Sequence, residues 1–231
     1  MPFAGITITP EVARDYPDAR VGWLLADVRV EREHPYVEEL KGRLARDLAS
    51  LGVTDENLAL HPDIARWRAV YSDMGVKPSK FRSSPEALAR RVLKGKGMWS
   101  VSSVVDCYDC TSVSTLLSLG AHDAEKIDGV MTLRRCRAGE KFFPLGAGDE
   151  VIEADPRNIA YADDTKICCW LWNHRDSRLA SVTEGTREAV FIVDSAFVPH
   201  ATPIERGLDI LWERIAKIGG TPKSRGIAGG G

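Results

Sequence analysis

Five polar residues in this 231-residue chain have the types and spacing to hold a zwitterionic ligand: Arg82, Asp106, Asp109, Asn173 and Arg175. A guanidinium offers a rigid fork of donors that matches a carboxyl or ester group, and a carboxylate is the natural partner of an ammonium. Asp106 and Asp109 lie one helical turn apart, so on a helix both carboxylates are expected to project to one side. Asn173 and Arg175 close the strand-like run KICCWLWNHR. There Trp170 and Trp172 are expected on one face, Asn173 on the other and Arg175 just past the end. Two carboxylates withdrawn from water need a cation opposite them, and Arg82 or Arg175 is expected in that place. The same residues also suit a structural ion pair joining helix to sheet.

A second constellation is basic. Lys77, Lys80, Arg82, Arg90, Arg91, Lys94 and Lys96 are opposed within their segment only by Glu86. Across the chain 31 basic residues meet 33 acidic ones, a net charge of −2, so any nucleic-acid contact must come from a local patch. Arg82, Arg90, Arg91 and Lys94 are the candidates for RNA phosphate contacts, with a plain solvated helix face as the other reading.

Other chemistries find less support. Cys107-x-x-Cys110, Cys136, the Cys168-Cys169 pair and His174 offer soft metal ligands, but there is no second C-x-x-C. Adjacent cysteines on a strand also point to opposite faces. Core packing is the expectation for all five, with no metal and no cofactor. There is no G-x-S-x-G elbow and no P-loop. The histidines at 34, 61, 122, 174 and 200 show no spacing that pairs one with a nucleophile. Asp123, Asp128, Asp163, Asp164 and Asp176 complete the polar set, and caps or turns account for such residues as well as function does.

The elements that must position these groups follow from periodicity. Alternation over 20–30 reads as a half-buried strand. Val37, Leu40, Leu44, Leu48 and Leu51 make an amphipathic helix over 36–51, closed by Gly52. A helix over 63–74 buries Ile64, Trp67 and Tyr71. Another over 84–93 is read with Ser84 as its N-cap and Pro85 first inside. A longer helical pattern covers 100–119 and is weakened at 111–115 by serine and threonine. Beyond Gly120 the period falls to two, with strands expected at 129–136, 141–145, 150–154, 159–162, 166–173 and 188–193 and a hairpin turn at Asp163-Asp164. The last helix, over 203–218, is read with a T-x-x-E box at Thr202. GIAGGG then reads as a mobile tail.

Helices first and strands later imply an α+β fold. No linker divides the chain, so one domain over 1–218 with a flexible 219–231 tail is expected. The first residues, MPFAGITITPEV, carry neither the basic nor the apolar region of a secretory signal, and no apolar run suits a membrane span. With an odd cysteine count, a cytoplasmic protein is expected.

The strings FRSSPEAL, LGAHDAEKIDG, LRRCRAGEKFFPLG, IAYADD and WLWNHRD occur in an order that resembles a known family. That family is the B3/4 domain, the tRNA-binding and editing region of the bacterial phenylalanyl-tRNA synthetase beta subunit, together with free-standing proteins built from it. The resemblance runs from about 64 to 197. It implies helices layered on a β-sandwich of mixed strands. It also implies a pocket that binds a wrongly attached amino acid and hydrolyses its ester to tRNA. The family's V-V-D-x-x-N falls on Val104, Val105, Asp106 and Asp109, so an acid stands where the family has an amide. The family's P-L-H-A-F-D histidine falls near Gly120, and His122 stands where that pattern has its aromatic residue. Three functions follow: a deacylase acting in trans on mischarged aminoacyl-tRNA, a non-catalytic module binding tRNA or an amino acid, and an enzyme of small amino-acid-like metabolites.

Overall fold

The computed structural model describes residues 2–230. The chain runs β1 (Ile6–Ile8), α1 (Pro10–Asp15), β2 (Arg20–Asp27), α2 (Pro35–Ser50), α3 (Pro62–Asp73), α4 (Ser84–Leu93) and α5 (Ser103–Thr115). Strands follow: β3 (Ser118–Asp123), β4 (Met131–Arg135), β5 (Lys141–Phe142), β6 (Ile152–Glu153) and β7 (Ile159–Ala162). Then come β8 (Ile167–Trp170), β9 (Arg175–Asp176), β10 (Glu188–Ser195), α6 (Ile204–Lys217) and β11 (Thr221–Gly229).

The fold is α+β, and β10 is its keel. This strand pairs antiparallel with β2 on one side and β3 on the other, setting Phe191 against Leu24 and Ala121. The sheet order is β11-β2-β10-β3. A strand with both faces covered must be apolar at every position, and EAVFIVDS is buried at all but its first. Ala189, Phe191 and Val193 face a core built with α2, α4, α5 and α6. Val190 and Ile192 face the opposite core, shared with α3 and a second sheet of order β1-β4-β7-β8-β9. That sheet is mixed, because β1 pairs parallel with β4 while the other pairings are antiparallel.

Four local expectations are corrected. Helix α5 stops at Thr115, short of the expected 119, and Leu116 turns left-handed at φ 57°. Its hydroxyls compete with the helix ladder: Ser112 donates to the Leu117 carbonyl at 2.7 Å and Thr115 to that of Thr111 at 2.7 Å. Residues 118–123 are thereby released into β3. Ser83, not Ser84, is the N-cap of α4, and Pro203, not Thr202, caps α6; neither makes a side-chain capping bond.

The fourth concerns the tail. Residues 221–229 form β11, paired antiparallel with β2 from Thr221↔Asp27 to Gly229↔Arg20. The glycines that suggested mobility are there for close approach. A Cβ on Gly226 would lie 2.8 Å from the Trp23 indole. Gly22 serves α6 in the same way, since a Cβ there would meet Leu208 at 2.7 Å. Among the described residues no helix is long and apolar enough to cross a membrane.

Candidate functional site

The expected acid pair separates on α5. Asp106 is buried and engaged: its Oδ2 lies 2.7 Å from Lys41 Nζ on α2, and its Oδ1 accepts from the Val101 N–H at 2.9 Å. It ties α2 to α5. Positions 106 and 109 are about 60° apart around a helix, enough to send the second carboxyl elsewhere. Asp109 lines a cavity of about 270 Å³ between α4, α5, β3, β10 and the β8–β9 connection.

Asn173 and Arg175 line the same cavity, so three of the five expected ligand residues converge. Arg82 does not. Its Nε is 3.7 Å from Glu86, and its carbonyl accepts from His174 Nδ1 at 2.8 Å. The expected alternation through Trp172 also fails. β8 ends at Trp170, and Leu171 and Trp172 take φ values of 52° and 62°. That left-handed pair swings Trp172 and Asn173 together into the cavity. Non-glycine residues rarely hold such angles, and when they do the strain tends to gather at functional sites. Among the described residues, all three non-glycine cases (Leu116, Leu171 and Trp172) stand in the two turns that feed this cavity.

Burial leaves several of the lining groups short of partners. Tyr71 donates from its hydroxyl to Asn173 Oδ1 at 2.9 Å, which fixes the amide and leaves Nδ2 unpartnered. His122 on β3 is 1% exposed, and its Nδ1 is also unpartnered. Burial lowers its pKa, so the imidazole is neutral near pH 7. Asp194 on β10, likewise 1% exposed, accepts at Oδ2 from Tyr161 and from Trp172 Nε1, while Oδ1 has no partner. Burial raises its pKa to about 6 against the opposing pull of the Ser118, Tyr161, Trp172 and Asn173 side chains. Orphaned buried polar atoms are rare, and a cluster of them around one cavity points to something that binds there.

Asp109 is the most displaced acid. Burial first, then the charges of Asp106 and Asp176, raises its pKa from 3.8 to about 8. An acid that titrates close to neutrality can give or take a proton where most carboxyls cannot. Arg175 keeps a guanidinium in the wall and donates to the Leu145 carbonyl at 3.0 Å. At the rim Trp99 is 50% exposed, with the Arg91 guanidinium 4.1 Å from its ring centroid.

The basic residues divide in two. Glu86 is fully buried and meets Arg68 at 2.8 Å and Arg90 at 3.3 Å, with Arg82 at the longer distance given above. Arg82 and Arg90 therefore hold a buried acid, and Arg90 also reaches Asp55 at 3.6 Å. Arg91 covers Trp99, and Lys94 projects into solvent. The cysteines are free and buried, with burial lifting the thiols of Cys107, Cys110, Cys136 and Cys168 to about 12. Among the described residues no cluster of three or more His, Cys, Asp or Glu could hold a metal.

Sequence reasoning did not single out Asp194, Tyr71 or Trp99. Asp194 left one signal: a lone acid inside the apolar strand AVFIVDSA, where a charge is costly to bury without a purpose. Nothing local marks Tyr71 or Trp99.

The sequence pattern of the B3/4 domain matches residues 66–204, more than half of the chain. The chain belongs to the B3/4 domain family. This B3/4 protein is 30% identical over 115 residues to the phenylalanine–tRNA ligase beta subunit of Chromobacterium violaceum. The match takes in 50% of the present chain and only 14% of that subunit. A solved structure, an N-terminal fragment of the phenylalanyl-tRNA synthetase beta subunit from Pyrococcus horikoshii, superposes with a TM-score of 0.48 at 11% identity. That superposition covers 99% of the B3/4 protein and 51% of the fragment.

Proposed function

We propose that this protein binds the aminoacyl end of tRNA and hydrolyses its ester in trans. The observation that carries the reading is the cluster of buried polar atoms without partners, Asn173 Nδ2, His122 Nδ1 and Asp194 Oδ1, around one cavity. An aminoacyl ester offers what they lack: an ammonium for the carboxylate and a carbonyl oxygen for the amide. Kinship to a synthetase subunit supports a tRNA-linked role.

In this mechanism Asn173 Nδ2 donates to the carbonyl oxygen as it gains negative charge. His122, neutral and with a free ring nitrogen, takes a proton from the attacking water. Water adds to the carbonyl carbon, the bond to the ribose oxygen breaks, and the proton passes to that oxygen. Free amino acid and uncharged tRNA result. Trp99, with Arg91 over its ring, offers the terminal base a stacking surface at the rim.

Incubation with aminoacyl-tRNAs tests this directly. Deacylation above the spontaneous rate, lost in His122→Ala, is expected. Salt-sensitive binding without turnover would favour the non-catalytic module instead, and turnover of free small molecules alone would favour a metabolic enzyme.

The RNA contacts also need revision. Arg90 holds Glu86, so replacing it disturbs the fold as well as any phosphate contact. Arg91→Ala with Lys94→Ala is the cleaner variant. Each lost phosphate contact flattens the slope of log affinity against log salt by roughly 0.7–0.9, so the pair is expected to flatten it by about 1.4–1.8. An unchanged slope in a tRNA-binding titration would make the patch an ordinary solvated surface.

A further inference from the structure

The geometry points to an aminoacyl group with a second, side-chain ammonium, a diamino acid of the lysine or ornithine class, as the ligand of this cavity. The inference rests on the aminoacyl reading above and concerns which amino acid that group is.

Charge balance carries it. Three carboxyls line the cavity: Asp109 from α5, Asp176 from β9 and Asp194 from β10. One cation faces them, Arg175, since burial keeps His122 and His174 neutral near pH 7. None of the three acids forms an ion pair among the described residues. Asp194 is held by neutral groups alone, Tyr161 and Trp172 at Oδ2 with the Ser118 and Asn173 side chains beside it, and Asp176 receives the Cys169 thiol. Without a ligand cation beside it Asp109 is protonated near pH 7, and it gives up that proton when one binds; with every acid then ionised the wall is two charges short of neutral. An α-ammonium alone supplies one of them. An α-ammonium together with a side-chain ammonium supplies both, one for Asp194 and one for Asp109.

The apolar part of the wall agrees. Tyr108, Tyr161, Trp172 and Trp99 present rings to the cavity, with Leu88 and Ile192 between them. Aromatic faces attract ammonium groups and also bury the methylenes of a long alkyl stem. A neutral side chain would satisfy the rings but leave Asp109 either uncompensated or protonated. Asp109 is also where this chain has an acid in place of the family's amide, so the extra charge belongs to this protein's own pocket.

Binding of L-lysinamide, L-ornithinamide, L-norleucinamide and L-tyrosinamide to the full chain, by calorimetry in 0.15 M salt, tests the assignment. The amide stands in for the ester and removes the free carboxylate. Norleucinamide has the lysine stem without its terminal ammonium. Lysinamide or ornithinamide is expected to bind at least tenfold more tightly than norleucinamide and tyrosinamide. Asp109→Asn, close to isosteric and checked by circular dichroism for folding, is expected to erase that preference. Equal or tighter binding of norleucinamide or tyrosinamide overturns the diamino-acid class and leaves the aminoacyl reading standing. Failure of all four amides to bind the folded protein overturns the aminoacyl reading as well. A preference that survives Asp109→Asn would also overturn the assignment, because the extra cation would then be recognised elsewhere.

Discussion

Asp109→Asn is expected to raise stability and lower function in the same protein. In the folded state the Asp109 carboxyl titrates near 8, against 3.8 for an ordinary aspartate. The folded state therefore holds this proton more tightly than the unfolded one. The stability this confers is complete below about pH 4 and is lost steadily as pH rises towards 8. The neighbours act in the same direction: Asp106 and Asp176 both push the Asp109 pKa up. An asparagine at this position would not ionise, so the variant escapes the loss. One pKa unit corresponds to about 1.4 kcal/mol. The cavity is partly open to solvent, so the gain at pH 8 is put at roughly 2 kcal/mol, or about 4–8 °C in Tm for a chain of this size. Near pH 4 the two proteins should melt together. Deacylation of the preferred aminoacyl-tRNA, by contrast, should fall tenfold or more, since a ligand ammonium loses its charged partner. A variant that melts lower than wild type at pH 8 would show that Asp109 is a structural partner and would remove it from the site.

Such an exchange between stability and activity is informative because core residues rarely show it. Lys41 and Asp106 illustrate the contrast. Their buried pair joins α2 to α5, and its loss should lower stability at any pH where both are charged. Both acids looked alike in the sequence, and only the neighbouring helix distinguished them. Elements with a strong period were legible from residues alone: the leucine stripe of α2, the α6 stripe and the β10 strand all fall where their spacing put them. Asp109, in the middle of α5, and Asn173 and Arg175, around the end of the β8 run, were legible as polar residues, and the structure sets all three on one cavity. What stayed hidden depended on long-range contacts. Arg82 was expected opposite the acids, yet Glu86, one turn along the chain, lies closer. Trp172 was expected to alternate with Asn173, but two left-handed residues broke the strand, and no propensity marks leucine or tryptophan for that conformation. The glycines of β11 suggested a tail because Trp23, which requires Gly226, lies at the other end of the sequence.

Removing the chain after Thr202 is expected to abolish folding, and removing it after Gly220 to weaken it. The first cut deletes α6 with Ile204, Leu208, Leu211, Ile215 and Ile218, each no more than 5% exposed. At roughly 1.5–3 kcal/mol for each buried side chain, their loss is about 7–15 kcal/mol, as large as the whole stability of a typical domain. It also uncovers Leu24 and Val193 in the core that α6 closes. Such a chain should be insoluble or should lack a cooperative melt. The second cut leaves α6 in place and deletes only β11. Most of that strand is exposed or half-buried, so little apolar burial is lost. The loss lies instead in the β2 backbone, whose N–H and C=O groups from Arg20 to Asp27 pair with β11 on that side. Water can replace those partners at a net penalty of only about 0.5–1.5 kcal/mol per bond, and an opened edge strand invites association between copies. A chain ending at Gly220 should therefore fold, melt several degrees lower and self-associate at high concentration. Scanning calorimetry with sedimentation distinguishes the cases. An unchanged Tm and a monomeric second truncation would mean that residues 221–229 behave as a tail after all.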